Sequence, residues 1–510
     1  MGRGGARRRD GRGTERVLNR IPHILATVAV FLGAVPLVVA VIQFLLVGLQ
    51  RFRHLYEDRP PHMPRTAVLI PAWNEAPVLA SSVEGLLRMR YPPDRLRVVV
   101  VDDASTDRTP EVMRELMARH PGRVAHLRRE DGGQGKAHTL NHGLAHVLGD
   151  DWAEAVLVMD ADVVFDRDAL LRMTRHLADP EVGAVTAYIK EGSGKQGTYL
   201  TRYIAFEYIT AQAAARRAQN VLGAVACLAG GAQLHTRASL EAIGGRIDTS
   251  TLAEDTVTTF ETQLAGRRVV FDGYATVLAE EPGDVTGLWK QRLRWARGNL
   301  QVTHRYRRLW FRPWKRREGH RLGSVLFGLV WYSLLATPVL MAVCSVALLY
   351  LYFTDADRSW QLFHWLWVVN LVCYLLILLL SAAVDPGTFR RCWREALIYP
   401  GLVSTCVLVF TALPGVFQPL LERAGLLTDA GSPQPLMVAV YAWLGLSLPL
   451  AWAAKLLSGT RLRFLAPVLL TLVGYGSLLS ACLVAAWVQE RRKAELTWDK
   501  TEKTGKVTAG

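Results

Sequence analysis

The chain has 510 residues, half of them hydrophobic (50%), with a mean hydropathy of +0.15 and a formal net charge of +15. So apolar a composition excludes an ordinary soluble enzyme and points to membrane segments beside a polar block large enough to bury its own core. The positive balance raises a nucleic-acid partner, but the cations cluster beside apolar runs, where anionic lipid attracts each by about 1 kcal/mol, so a lipid bilayer and no nucleic acid is expected.

Residues 1–20 form a basic N-terminal segment with seven Arg. The apolar run 21–49 follows, too long for the h-region of a cleaved signal peptide, and reads as a retained transmembrane anchor. Runs free of Asp, Glu, Lys and Arg recur at 323–353, 360–384, 396–421, 435–454 and 464–488. Each reaches the roughly 20 residues needed to cross a bilayer, which predicts a C-terminal transmembrane region of about five helices over 323–489, then a polar tail at 490–510. The basic loops "RFRHLYEDRPPHMPR", "HRYRRLWFRPWKRREGHR", "FRRCWRE" and "KLLSGTRLR" fall on one side under the positive-inside rule. That places the block 50–322 in the cytoplasm of a multi-pass plasma-membrane protein. An odd number of spans on each side of the block leaves both basic termini outside. This conflict disappears if the early run, broken at Pro36, or one late run is not a simple crossing. The six Cys show no CxxC spacing, so neither a zinc site nor a disulfide framework is indicated.

Within the block, β-branched runs alternate with helical patterns. Strands are expected at 66–72, 96–103, 124–129, 155–162 and 182–188, and helices at 76–89, 109–119, 136–148 and 166–178. This βαβα order predicts a largely parallel sheet, with ligands beyond the carboxyl ends of its strands. Acidic clusters sit at those ends. "VVVVDDASTD" closes a strand with Asp102 and Asp103, ahead of turn and cap residues. "VLVMDADVVF" carries Asp160 and Asp162, which alternation along an extended segment puts on one face, where two carboxylates suit a hard divalent cation. In "EDGGQGKAHTLNHGLA" a nucleotide-triphosphate P-loop fails, because Glu130 and Ala137 stand where Gly and Ser or Thr are required. Gly132, Gly133 and Gly135 still allow backbone to approach an anion, with Lys136 opening a helix. "STLAEDTVTTFETQLAGRRVVFDG" reads as a capped helix running into a strand, with Glu254 and Asp255 in its first turn. From Leu288 to Arg297 an amphipathic interfacial helix is expected, within about 284–300, with Trp289 and Lys290 as headgroup anchors and its other side closing the site.

Taken in order, "VLIPAWNE", "VVDDASTD", "GKAHTLNHGL", "MDAD", "LAGGA", "LAEDT" and "WKQRLRW" resemble the membrane-embedded family-two glycosyltransferases: the cellulose, chitin, hyaluronan and poly-N-acetylglucosamine synthases, the last most of all. The resemblance covers about 65–301. It implies a GT-A fold, a Rossmann-like and mostly parallel α/β sheet, joined to an α-helical transmembrane region. It further implies inverting transfer from a UDP-sugar donor to a growing polysaccharide acceptor, with Mg²⁺ or Mn²⁺ as cofactor. Carried over by motif, Pro71, Ala72, Glu75, Asp103, Lys136 and Asp160 contact the donor, and Asp160 and Asp162 hold the metal. Asp255 is the general base, with Glu254 beside it. Gly230, Gly231, Gln291, Arg294 and Trp295 line the acceptor and diphosphate site. Ala253 departs from the family's usual T-E-D.

These roles suit the chemistry. Departure of UDP builds charge on a diphosphate, which a dication and the planar fork of Arg294 can balance. The attacking hydroxyl needs a carboxylate within about 3 Å. Trp295 offers a flat face to a sugar ring and Gln291 an amide to its hydroxyls. Two alternatives carry other expectations: transfer of a single sugar to a polyprenyl phosphate, in enzymes that generally lack Q-x-x-R-W, and a nucleotide-binding transporter or scaffold without chemistry. Aromatics in the apolar runs, Trp331, Trp365 and Trp452 among them, suit interfacial belts, and some could line a sugar path.

Overall fold

The computed structural model describes residues 11–52, 60–312, 321–425, 435–495 and 507. Eight strands make one sheet: β1 (Thr66–Ala72), β2 (Leu96–Asp102), β3 (Val124–Arg128), β4 (Ala155–Val158), β5 (Val164–Phe165), β6 (Val182–Glu191), β7 (Gln233–Thr236) and β8 (Arg268–Ala279). Their spatial order is β3-β2-β1-β4-β7-β6-β8-β5. The pairs β3–β2, β2–β1, β1–β4 and β6–β8 are parallel. Strands such as "TAVLIPA" and "LRVVVVD" are buried almost throughout, as parallel strands with helices on both faces must be. The expected helices appear at Ala76–Leu87, Thr109–Arg119, Lys136–Val147 and Ala169–His176.

Two strands were not foreseen: the two-residue β5, which pairs with β8, and β7. β7 lies antiparallel between β4 and β6, pairing Val158 with Gln233 and Thr186 with Gln233. Because it runs against β4, its leading end sits at β4's carboxyl end. The glycines just before it, Gly230 and Gly231, are thereby brought beside Asp160. A second difference concerns the D-x-D pair. β4 stops at Val158, so Asp160 and Asp162 occupy a turn rather than an extended segment. The turn is pinned by Ser82, whose hydroxyl donates to the carbonyl of Ala161 at 2.6 Å.

The apolar runs also depart from six simple crossings. Among the described residues three helices are long and apolar enough to cross a membrane: Thr337–Thr354, Ala356–Val384 and Leu436–Ser458. Three further runs are pairs bent by 44° (Ile21–Leu32 with Val35–Leu49), 90° (Pro386–Leu397 with Leu402–Ala412) and 97° (Leu465–Val473 with Tyr475–Arg491). In the last pair, Tyr475–Arg491 packs along the helix Val285–Arg305. Arg297 Nε donates to Glu490 at 2.6 Å, and its Nη atoms donate to the carbonyls of Ala494 and Glu495 at 2.8 and 3.0 Å. The run 464–488 is therefore bent rather than straight, and Glu490, Ala494 and Glu495 pack beside the helix that follows β8.

Helix Val285–Arg305 is longer than expected, and Trp289 does not anchor it at headgroups. Trp289 is buried and packs edge-on against Trp452 with ring centroids 5.2 Å apart, whereas Lys290 is exposed. Removing the guanidinium from the buried Arg297 leaves the Glu490 carboxylate without its cation. Glu490 is 26% exposed, which softens the penalty to roughly 2 kcal/mol. Arg297→Met and Glu490→Gln are each expected to lower the melting temperature of the protein in detergent. The double variant should lose less than the sum of the two, and additive losses would show that the pair is not coupled.

Candidate active site

The carboxyl ends of β1, β2 and β4 open on one cavity of about 740 Å³. Pro71, Ala72, Glu75, Asp103, Lys136, Asp160, Asp162, Gly230, Gly231, Glu254, Asp255, Gln291, Arg294 and Trp295 all line it. The residues given roles by the resemblance are thus brought to a common cleft, whereas Asp102 and Gly132, singled out from the strand end and the glycine loop, lie outside its lining.

Two loops form the rim over β1 and β2. Asn74 and Ala104 both have positive φ, 53° and 55°, which is uncommon for residues with a Cβ. Asn74 Oδ1 accepts from the amides of Thr106 and Asp107 at 2.8 and 3.2 Å, and its own amide donates to Ser105 Oγ at 2.9 Å. The strain is held by this cross-link, as is usual where backbone is shaped for a ligand. The paired aspartates then divide. Asp102 is fully buried and salt-bridged to Arg128 at 2.6 Å. Burial acts to raise its pKa, but hydrogen bonds from His126 and Ser105 and the Arg128 charge prevail and pull it down to about 2. Asp103 faces the cavity, accepting from Arg129 and from the amide of Gly133 at 2.9 Å. A Cβ on Gly132 would stand 2.4 Å from the Asp103 carbonyl oxygen, so only glycine lets the loop lie there.

At the centre is Lys136, the first residue of its helix. Its ammonium is ion-paired with Asp160, donates to the Gly230 carbonyl at 3.2 Å and stands 4.0 Å from Glu254. Burial disfavours its charge, yet the carboxylates of Asp160 and Glu254 outweigh that and raise its pKa above the ordinary lysine value. Glu254 is buried, and desolvation together with the neighbouring Asp255 pushes it up to about 7, against the pull of Lys136 and Arg294. Gly230 and Gly231 are necessary spacers. A Cβ on Gly230 would meet Asp255 Oδ2 and Lys136 Nζ at 3.3 Å, and one on Gly231 would meet Val163 at 2.9 Å. The approach to these glycines is tied to the Asp255 helix, Glu254–Leu264: Gln263 exchanges hydrogen bonds with the Val225 backbone at 2.8 and 3.0 Å, and Thr259 Oγ accepts from the Leu228 amide at 2.8 Å.

The Asp255 helix and the helix Val285–Arg305 meet at a pair of small residues. A Cβ on Gly298 would lie 2.6 Å from the Ala253 methyl, so the small residue in the T-E-D position lets the two helices close up. From the second helix, Gln291 Nε2 donates to Glu281 at 3.0 Å and its Oε1 accepts from Arg292 at 2.6 Å. Trp295 is 37% exposed, with the Arg292 guanidinium 4.1 Å from its ring centroid. Arg292 is itself buried, bound to Glu207 at 2.5 Å, and Glu207 accepts from Tyr475 at 2.7 Å.

Asp160 and Asp162 are hard oxygen donors, and Asp160 already accepts a cation in the form of the Lys136 ammonium, so the pair fits a divalent ion that takes its remaining ligands from diphosphate and water. Among the described residues no group of three or more His, Cys, Asp or Glu is arranged to hold a metal unaided.

Residues 64–298 match the family described as Glycosyltransferase like family 2. This segment is a family-two glycosyltransferase domain. The probable glycosyltransferase YdaM of Bacillus subtilis (strain 168) is 30% identical over 264 residues, 51% of this chain and 61% of YdaM. The poly-beta-1,6-N-acetyl-D-glucosamine synthase of Staphylococcus epidermidis is 28% identical over 237 residues, 46% of this chain and 54% of that protein. The matches thus span between half and two thirds of these relatives. The mannosyltransferase PcManGT from Pyrobaculum calidifontis, solved in complex with GDP-Man and Mn²⁺, superposes with a TM-score of 0.53 at 23% identity, over 77% of this chain and 99% of that one. The shared fold is GT-A.

Motif reading missed several residues of the family-two domain that line the cavity, among them Glu207, Tyr208, Arg216, Glu280 and Glu281. The last two directly follow β8, so the rule that found acids at the ends of β2 and β4 reaches them as well. Tyr208 donates to Glu281 at 2.6 Å, which fixes the carboxylate that holds Gln291. Glu254 is protonated below about pH 7 and charged above it. Its ionised form adds negative charge where an acceptor proton would leave, so nucleotide release from a sugar-nucleotide donor is expected to rise with pH through about 7. Glu254→Gln should flatten that inflection, and an unchanged profile would assign the titration to another group.

Proposed function

We propose that the chain is an inverting, metal-dependent glycosyltransferase that extends a β-linked polysaccharide, with UDP-N-acetylglucosamine as donor, and exports the product through its own helices. The observation that carries this reading is the convergence of Asp103, Lys136, Asp160, Asp162, Asp255 and Arg294 on one cavity within a GT-A domain. In this reading residues 21–49 anchor the chain, 50–322 form the cytoplasmic catalytic domain, and 323–489 form the membrane region, ahead of the tail 490–510. The plasma membrane is the site of action. The similarity to a poly-β-1,6-N-acetylglucosamine synthase supports the choice of sugar.

Each side chain then has a task. Glu75 and Asp103 hold the uridine against Pro71 and Ala72. Asp160 and Asp162 hold a divalent cation, Mg²⁺ or Mn²⁺, which supplies charge neutralisation to the diphosphate. Lys136 and Arg294 bring fixed positive charge to the phosphate oxygens, and Gly230 and Gly231 leave room for them. Asp255 takes the proton of the acceptor hydroxyl as it attacks the anomeric carbon from the face opposite UDP. Trp295 stacks on the terminal acceptor sugar and Gln291 bonds its hydroxyls.

In purified protein supplied with UDP-N-acetylglucosamine and Mg²⁺ or Mn²⁺, Asp255→Asn is expected to lower polymer formation by about 10³-fold while UDP binding persists, the size expected when proton transfer and positioning are both lost. Retained synthesis would remove Asp255 from this role, and absence of polymer from the unaltered protein would overturn the reading as a whole. Trp295→Ala should raise the acceptor requirement and slow elongation, with donor binding little changed. Equal loss of both would reduce Trp295 to a support for its helix.

A further inference from the structure

Arg292 lies within the Q-x-x-R-W stretch, between Gln291 and Trp295, at a position to which the motif gives no role. It is buried, only 5% exposed, and stands outside the lining of the cavity. Its guanidinium nevertheless touches both neighbours that do line it. Nη1 donates to Gln291 Oε1 at 2.6 Å, and Cζ stands 4.1 Å from the centroid of the Trp295 ring. The two contacts decide what the cavity meets. With Oε1 against Arg292 and Nε2 donating to Glu281 at 3.0 Å, the Gln291 amide cannot turn over and exchange donor for acceptor. It keeps one further N–H, which suits the oxygen of a hydroxyl or an acetamide. Trp295 has one ring face under the guanidinium, so a sugar can stack only on the other.

Arg292 is itself mounted on distant parts of the chain. Its Nη2 donates to Glu207 Oε2 at 2.5 Å, on the helix Tyr199–Tyr208, and the same oxygen accepts from the Tyr475 hydroxyl at 2.7 Å. Tyr475 stands at the 97° bend, where Gly474, with φ 87°, lies against the 90° bend of the other pair. A Cβ on Gly474 would come within 2.4 Å of the Gly401 amide nitrogen, and the Tyr475 amide donates to the Tyr399 carbonyl at 3.0 Å. The mount is backbone against backbone. As a device for stability alone the arrangement would be poor: a buried ion pair barely repays its desolvation, and Arg292 Nε has no hydrogen-bond partner among the described residues.

We propose that Arg292 is a positioning residue for the acceptor: it holds the Gln291 amide and the Trp295 ring in the pose that receives the sugar, and Glu207 and Tyr475 hold Arg292. This rests on the reading of Gln291 and Trp295 as acceptor contacts and adds what orients them. None of these contacts reaches a donor-side residue, so a change at Arg292 tells on the acceptor and spares the donor.

The test uses the full chain in lipid nanodiscs, with UDP-N-acetylglucosamine, Mg²⁺ or Mn²⁺, and a soluble β-linked N-acetylglucosamine tetramer as acceptor. The KM for each substrate and kcat are read for the unaltered protein, Arg292→Lys and Tyr475→Phe. Lysine keeps the charge beside Glu207 but cannot both bridge to Gln291 and lie flat over Trp295. Arg292→Lys is expected to raise the acceptor KM about tenfold, with the donor KM within about twofold of the unaltered protein. Tyr475→Phe removes one hydroxyl and leaves the ring to pack, and should raise the acceptor KM about threefold with the same sparing of the donor. In a Trp295→Ala background the effect of Arg292→Lys should shrink, because part of what it holds is gone. Acceptor and donor KM rising together, or a fall in kcat with both KM values unchanged, would make Arg292 a support of the fold and overturn the proposal, as would equal effects in the two backgrounds. If the unaltered protein neither extends the tetramer nor makes polymer from the donor, it is the polymer-synthase reading that has failed, an outcome distinct from these.

Discussion

The site is organised around one buried cation. Lys136 joins the start of a helix, the turn after β4, the carbonyl of Gly230 and the first turn of the Asp255 helix, four segments far apart in the chain. Without its charge, Asp160, Glu254 and Asp255 would face each other across a small cavity and repel. With it, three carboxylates are held near the place where the proposed reaction would receive a diphosphate, itself an anion. The same ammonium that gathers the acids in the free protein is placed to meet phosphate, so the arrangement stores a cation where substrate charge will arrive. The glycines at 230 and 231 belong to this arrangement, because any side chain there would push the ammonium and the acids apart.

Much of this was legible in the sequence because it rests on local signals. Buried valine runs announce parallel strands, and acids directly after them announce the ligand edge. The order of the motifs was enough to name their companions, from Glu75 to Trp295, and all of those line one cavity. What escaped notice has physical reasons. β7 is four residues long and buries Gln233 and His235, so it lacks the apolar alternation of a strand. The turn at Asp160–Asp162 follows from where β4 loses its partner, a property of pairing and not of the segment itself. Hydropathy measures the length of an apolar run and is blind to its direction, which is why bends of 90° and 97° leave no mark in the sequence. The contacts of Arg292 with Glu207 and Tyr475 join residues from three distant parts of the chain, and no spacing rule reaches that far.

The two helices that flank the reacting groups are coupled by close approach rather than by polar contact. Ala253 and Gly298 bring the helix of the proposed base against the helix carrying Gln291 and Trp295, so donor-side and acceptor-side groups share one rigid wall. Arg292, whose guanidinium lies over the Trp295 ring, pairs with Glu207, and Arg297 pairs with Glu490. Through Tyr475 and Glu490 the last apolar helix grips that second helix.

That grip carries a lesson about where this protein can be divided. Similarity to the family stops near residue 298, yet the apolar interior does not: Val285, Leu288 and Trp289 share a continuous cluster with Ala451, Ala454, Leu470, Tyr475 and Leu478. A fragment cut at the border of the family match would lay bare an oily flank and part Arg297 from Glu490. The matched segment is smaller than the unit that packs together, and the C-terminal apolar helices serve as one wall of its interior.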